Sequence, residues 1–115
     1  MALELICPAG NLPALKLAVD HGADGVYVGL RNQTNARAFP GLNFDATDLK
    51  TALNYAHHNK TKVFLALNTY PQEGSTRTWQ QAVDTAADAG VDALILADAG
   101  LMAYACKTHP QLRLH

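Results

Sequence analysis

The feature that most constrains this chain is a regular alternation between short apolar runs and longer amphipathic segments. The apolar runs cover residues 3–7, 25–30, 63–67 and 93–97, and a last run covers residues 112–115. Most of them are rich in Val, Ile, Leu or Tyr and are apolar on both sides of the chain. That pattern is typical of strands in a sheet that is covered on both faces.

Helical periodicity fills the intervals between the apolar runs. In four segments apolar residues recur three, four and seven positions apart, as they do on the buried side of an amphipathic helix. The expected N-caps of the first three helices are Asn11, then Asp45 or Thr47, then Ser75 or Thr76. Strands and helices that alternate in this way predict parallel strands joined by right-handed crossovers.

The number of strand–helix units sets the size of the architecture. About four βα units and the start of a fifth strand are too few to close an eight-stranded barrel, so the alternatives are a small open sheet or half of something larger. The sequence favours an α/β fold that is the N-terminal half of a parallel (β/α) TIM-like barrel. Residues 1–115 would then form a partial-barrel domain, the N-terminal portion of a longer protein. Because such a sheet has two unpaired edges, self-association of the fragment is expected.

An internal repeat supports these units. Residues 21–28 align with residues 89–96, and each copy has a glycine after a helix and an aspartate before an apolar strand. Gly22 and Gly90 are expected to adopt the left-handed conformation that commonly follows a helix. Asp24 and Asp92 are expected to hydrogen-bond the turn between helix and strand, at the end of the barrel that serves stability.

Composition argues against several classes of function. With 49% hydrophobic residues and a net charge of −1, the chain has material for a core and no electrostatic attraction to nucleic acid or an anionic membrane. No apolar stretch reaches the roughly 20 residues that span a bilayer, and the first residues lack the features of a secretory signal. We therefore expect a cytoplasmic protein without a membrane span or a nucleic-acid partner.

Candidate substrate contacts lie where the predicted strands end, because α/β barrels bind ligands at the carboxyl ends of their strands. The candidates are Asn11, Arg37, Asn43, Asn68 and Asp98. For Asn68 and Asp98 the alternative is hydrogen bonding within the loop or capping of the next helix. No catalytic residue is assigned.

The connection over residues 31–45 is longer than most βα loops, and such loops tend to be functional or disordered. Its amides and its guanidinium could bind a carboxylate, a phosphate or a polar ring substituent, with Phe39 and Phe44 as an apolar wall. The alternative is an ordinary surface loop that the two phenylalanines pin to the protein.

Signatures of hydrolases and nucleotide-binding proteins are missing. The sequence has no G-x-S-x-G, H-E-x-x-H, Walker or G-x-G-x-x-G motif, and Ser75 is its only serine. Cys7 and Cys106 form no C-x-x-C pair, so two free thiols are expected and no metal site is assigned within this chain.

Two blocks of sequence nevertheless resemble a known family. Residues 7–16, which read CPAGNLPALK, and residues 22–30, which read GADGVYVGL, resemble the peptidase U32 family. Within that family, residues 34–37 (TNAR), 41–44 (GLNF) and 94–98 (LILAD) resemble the UbiU branch of ubiquinone biosynthesis more than the collagenases or RNA-modifying proteins.

The resemblance implies a barrel-type N-terminal region and a 4Fe–4S cluster on four cysteines that lie beyond residue 115. It also implies a UbiV-like partner and, under anaerobic conditions, oxygen-independent hydroxylation of a small aromatic quinone precursor. The fragment alone would then hold no cluster and be inactive. Two other interpretations stay open: a U32 collagenase-like peptidase or RNA hydroxylation protein, and a non-catalytic α/β assembly module.

Overall fold

Four strands alternate with four helices in the computed structural model, which describes residues 4–30, 44–67 and 76–115. The strands are β1 (Ile6–Pro8), β2 (Gly25–Val28), β3 (Lys62–Leu67) and β4 (Ala93–Leu96). The helices are α1 (Leu12–Asp20), α2 (Ala46–His58), α3 (Thr76–Ala89) and α4 (Ala99–Thr108). The predicted order of elements is confirmed. β1, β2 and β4 are shorter than their apolar runs, and β3 is one residue longer than its run.

All four strands are parallel and lie in the order β1-β2-β3-β4. The run at residues 112–115 also lies beside β4, where Leu114 forms a parallel bridge with Leu94. The Leu94 N–H donates to the Arg113 carbonyl, and the His115 N–H donates to the Leu94 carbonyl, each at 2.8 Å. The predicted fold class, four βα units of a TIM-like barrel with the start of a fifth strand, is confirmed.

The core lies between the sheet and the helices, because right-handed crossovers between consecutive strands place every helix on the same face. Alternate strand residues point toward the helices, and these are buried: Val26, Val28, Val63, Leu65, Leu67, Leu94 and Leu96. The helices contribute the apolar sides that their periodicity predicted, led by Leu15, Leu49, Leu53, Trp79, Val83 and Leu101. Sheet and helices thus share a single hydrophobic cluster.

Helix starts follow the capping rules. The side chain of Asn11 accepts from the Ala14 N–H at 2.9 Å, and that of Asp45 accepts from the Asp48 N–H at 2.7 Å. Asp45 rather than Thr47 therefore caps α2.

The two copies of the internal repeat use the same devices. Gly22 and Gly90 have φ angles of 90° and 87°, as the sequence predicted. Asp24 and Asp92, however, do not bond their own turns. The Asp24 carboxylate accepts from the Leu5 N–H and the Asp92 carboxylate from the Val63 N–H, each at 2.7 Å. Each aspartate therefore fastens its own strand to the start of the preceding strand.

The second face of the sheet, called the inner face below, carries Ile6, Tyr27, Phe64 and Ile95, and no described helix covers it. Ile6, Tyr27 and Ile95 remain 42%, 39% and 37% exposed. Side chains on this face interdigitate across the strands. A Cβ at Gly25 would lie 2.8 Å from Cε2 of Phe64 and 2.9 Å from Cδ1 of Ile6, so Gly25 makes room for both.

Replacing Gly25 with alanine is expected to lower the free energy of unfolding by about 1 kcal/mol, because Phe64 and Ile6 must move aside. Urea denaturation measures the change. In the F64L background the same Gly25→Ala change should cost much less, since leucine has no Cε2 atom. The double variant G25A/F64L should therefore be nearly as stable as F64L alone. A Gly25→Ala chain as stable as the parent would show that the inner face is not packed as described.

Candidate functional site

The carboxyl ends of the strands form the mouth of the partial barrel, and two of the five candidate residues are described there. Asn11 follows β1 and Asp98 follows β4. The side chain of Asp98 accepts from the Leu101 N–H at 2.8 Å, so Asp98 caps α4 as Asn11 caps α1. Both residues therefore have the capping role, and their contact with a substrate remains a prediction.

The other three candidates, Arg37, Asn43 and Asn68, lie outside the described residues, as does Phe39. Their part in substrate binding stays a prediction. Phe44 is described and is fully buried, with its N–H donating to the Gly29 carbonyl at 3.0 Å. Phe44 therefore belongs to the core and anchors the end of the connection, as the structural alternative proposed.

A cavity of about 290 Å³ opens beside the end of this connection. Leu30, Phe44, Asp45 and Ala46 form one part of its lining, and α3 supplies the rest. The α3 residues are Thr78, Gln81, Ala82 and Thr85. Its volume is at the lower limit of small-molecule sites, and its polar lining consists of two hydroxyls and one amide from α3 together with the carboxylate of Asp45.

Sequence reasoning missed the α3 side of this cavity because it looked only at the βα loops. A signal was present: Thr78, Gln81 and Thr85 recur three and seven positions apart, which places these polar residues on one side of a helix. A polar stripe of this kind is common on solvated helices, so it acquires meaning only once the neighbouring cavity is known.

A larger cavity, of about 570 Å³, lies on the inner face at the amino ends of the strands. It is lined by the apolar Ile6, Phe64 and Ile95 and by six ionisable residues, Glu4, Asp24, Lys60, Lys62, Arg113 and His115. That end of an α/β barrel serves stability rather than catalysis.

Ionisable residues elsewhere connect neighbouring elements. The Tyr104 hydroxyl donates to the Asp84 carboxylate at 3.0 Å, and His109 Nε2 lies 2.7 Å from the same carboxylate, which joins α4 to α3. The hydrogen bond to Asp84, aided by burial and by the negative charge, raises the pKa of Tyr104. These groups connect the outer helices α3 and α4 to each other.

The same kind of contact joins α1 to α2. The Tyr55 hydroxyl donates to the Asp20 carboxylate, and this hydrogen bond is the main cause of a raised pKa for Tyr55. The ammonium group of Lys16 lies 5.4 Å from the centre of the Tyr55 ring, within the range of a cation–π interaction. Both contacts position helices.

Among the described residues, no group of three or more His, Cys, Asp or Glu side chains is arranged to hold a metal ion. Cys7 is half-buried on β1, and Cys106 is exposed on α4. A 4Fe–4S cluster needs four thiolates, and the whole chain has two cysteines, so these residues do not fit that cofactor. Within the described ranges no helix has the length and apolar content needed to cross a bilayer.

Comparison with protein families gives one match over nearly the whole chain. The model of peptidase family U32 matches residues 10–115. The matched region contains every element from α1 onward and all five candidate residues.

Individual relatives carry several different names. An "uncharacterized protease" of Methanocaldococcus jannaschii is 42% identical over 87% of the chain and 24% of its own length. The tRNA hydroxylation protein P of Helicobacter pylori is 34% identical over 98% of the chain and 26% of its own length. A collagenase of Porphyromonas gingivalis is 30% identical over 89% of the chain and 24% of its own length. The chain thus spans about a quarter of the length of these relatives.

Solved structures agree on the fold. A U32 peptidase superposes with a TM-score of 0.71 at 14% identity, over 98% of this chain and 47% of the other. DHDPS from Cyanidioschyzon merolae superposes with a TM-score of 0.62 at 13% identity, over 96% of this chain and 44% of the other. At these identities the likeness concerns the architecture alone.

Proposed function

The chain belongs to peptidase family U32, and from that premise we propose that it forms the N-terminal part of the barrel of a protein that hydroxylates aromatic rings. The observation that carries the proposal is similarity over 98% of the chain to a tRNA hydroxylation protein. A 23S rRNA 5-hydroxycytidine synthase of Escherichia coli supports it, at 31% identity over 87% of the chain.

An RNA base is the first candidate substrate. Low net charge argued against a nucleic-acid partner, but it describes only this chain, whereas the relatives are about four times as long. A basic surface that binds phosphates would then belong to the rest of a longer protein. In this case the segment helps to form the pocket for the ring and contributes little to the electrostatic attraction of the RNA.

A quinone precursor is the second candidate, favoured by the resemblance of residues 34–37, 41–44 and 94–98 to the UbiU branch. In that case the longer protein would act with a UbiV-like partner. Both candidates require insertion of an oxygen atom on an aromatic ring, so they differ in substrate and share the chemistry. The 4Fe–4S cluster would lie in the rest of the longer protein, since this chain has too few cysteines.

Within this proposal the polar residues at the mouth hold the polar edge of the ring. Asn11 and Asp98 stand at the mouth on the first and last strands, and Arg37, Asn43 and Asn68 follow the strands between them in sequence. An arginine with several amides suits polar ring substituents such as the carbonyl group of an RNA base.

Deletion of the gene for the longer protein separates the candidates. After anaerobic growth, loss of one hydroxylated nucleoside from total tRNA or rRNA, measured by mass spectrometry, supports the RNA base. Loss of ubiquinone with unchanged nucleosides supports the quinone precursor. If the strain keeps all nucleosides and its quinone, the proposed function is wrong, and a peptidase or an assembly role becomes the better interpretation.

A further inference from the structure

Tyr27 is the inner-face residue of β2 that lies closest to the carboxyl end of that strand. Its neighbours Val26 and Val28 are buried on the helix side, so the alternation of side chains along a strand turns Tyr27 to the inner face. In a complete (β/α) barrel this face of the sheet is the interior, and the carboxyl ends of the strands open into the ligand site. Tyr27 therefore lies inside the barrel, close to the mouth.

The side chains on the amino-end side of Tyr27 are packed against one another. Inside such a barrel, alternate strands contribute each layer of side chains, because the strands are tilted. Ile6 of β1, Phe64 of β3 and His115 beside β4 form one layer. The Phe64 and His115 rings meet edge to face with their centres 6.3 Å apart, and Ile6 and Phe64 occupy the space where Gly25 lacks a Cβ. This layer closes the interior below Tyr27.

The side chains between Tyr27 and the mouth are small. Tyr27 of β2 shares the next layer with Ile95 of β4, and Pro8 and Ala66 are the inward-pointing residues of β1 and β3 in the layer nearest the mouth. Barrel interiors are usually filled by bulky branched side chains at such positions. Because proline and alanine are smaller, the Tyr27 ring has open space on its mouth side.

The Tyr27 hydroxyl is the one polar side-chain group that β1 to β4 supply in these two layers, since the other three residues are Pro8, Ala66 and Ile95. Among the described residues it has no hydrogen-bond partner, whereas the hydroxyls of Tyr55 and Tyr104 each bond an aspartate. A tyrosine hydroxyl enclosed in a protein interior normally has a partner. The open space beside Tyr27 leads to the mouth, so a bound ligand is well placed to be that partner.

We propose that Tyr27 is a substrate-binding residue of the longer protein. Its ring packs against a flat aromatic substrate ring that enters between Pro8 and Ala66, and its hydroxyl hydrogen-bonds a polar substituent of that ring. This assignment rests on the proposed function and adds to it a contact inside the barrel, below the five candidate residues that follow the strands.

The test uses the longer protein in the deletion strain described above. Re-expression of the unchanged protein during anaerobic growth restores the product that the deletion removed, either a hydroxylated nucleoside or ubiquinone, and mass spectrometry gives its initial rate of accumulation. Tyr27→Phe keeps the ring and removes only the hydroxyl, so it should lower this rate roughly threefold to tenfold, the value of one hydrogen bond. Tyr55→Phe is the matched control, because it removes a hydroxyl that joins two outer helices, and it should leave the rate unchanged.

Ala66→Leu tests the space on the mouth side of Tyr27. A leucine at this position fills that space and displaces the substrate ring, so the rate should fall roughly tenfold or more. Ala103→Leu is its control, since Ala103 is exposed on α4 and should tolerate the change. Thermal unfolding of the purified longer protein checks the role of the hydroxyl, and Tyr27→Phe should shift the Tm by less than about 2 °C.

Three results would overturn the assignment. They are an unchanged rate in Tyr27→Phe, an unchanged rate in Ala66→Leu, and a rate that falls in Tyr27→Phe together with the Tm. In the last case the hydroxyl bonds another part of the barrel and stabilises the fold. A deletion strain that keeps every nucleoside and its quinone refutes the proposed function itself and the assignment with it. A deletion that loses a product which Tyr27→Phe fully restores refutes the assignment alone.

Discussion

Replacing Phe44 with alanine is expected to lower the free energy of unfolding by about 3–5 kcal/mol, the usual cost of removing a fully buried phenylalanine. Among the described residues, Phe44 is the largest side chain that is completely buried. Its backbone N–H donates to the carbonyl of Gly29, directly after β2, and so ties the end of the connection to that strand. A loss of this size is a large part of the 5–15 kcal/mol that typically stabilises a domain. Urea denaturation measures the loss.

Two further variants show what the result means. Phe44→Leu keeps most of the volume and should cost less than about 1.5 kcal/mol, which leaves a folded protein if the alanine variant unfolds. Leu17→Ala removes an apolar side chain that is 61% exposed and should change stability by less than about 0.5 kcal/mol. If Phe44→Ala proved as mild as Leu17→Ala, the side chain would not be packed in the core as described.

The local parts of the fold were predictable because they depend on residues close together in the sequence. The cap at Asn11 involves a residue three positions away, and the left-handed glycines end the helices directly before them. The strand–helix order follows from periodicity, which is also local. The family blocks at residues 7–16 and 22–30 lie on these same elements, which explains why sequence alone reached both the fold and the family.

Contacts between residues distant in sequence were not predictable in the same way. The sequence placed Phe44 equally well on a ligand wall or in the core, because an aromatic residue next to polar ones fits both. It placed Asp92 in a turn, whereas the carboxylate reaches a strand 29 residues earlier. The polar side of α3 at the cavity was invisible for the same reason: only the packing of α3 beside Phe44 gives it a role.

Net charge is a weak guide to function here because the chain spans about a quarter of the length of its relatives. A net charge of −1 is a sound argument against a phosphate-binding surface on these 115 residues. It says little about relatives four times as long, several of which are named for hydroxylation of RNA. For a chain that spans a quarter of its relatives, the residues at the mouth are better evidence for function than the overall charge.

Replacing Asp92 with alanine is expected to lower the free energy of unfolding by about 2 kcal/mol, the usual value of a hydrogen bond to a charged group. Its carboxylate accepts from the Val63 N–H at 2.7 Å and lies 2.8 Å from His57 Nε2. The loss leaves the N–H at the start of β3 without its acceptor, so hydrogen exchange at Val63 should accelerate together with the drop in stability.

His57→Ala separates the two contacts of that carboxylate. The imidazole is 43% exposed, and an exposed ion pair is worth less than about 1 kcal/mol, so this variant should be milder and should leave exchange at Val63 slow. Asp92→Asn keeps an oxygen acceptor and should fall between the two. Equal losses in His57→Ala and Asp92→Ala would mean that the side-chain pair, rather than the bond between strands, stabilises the sheet here. The same contact at Asp24 would then need the same test, because among the described residues the Asp24 carboxylate bonds the Leu5 N–H and no histidine.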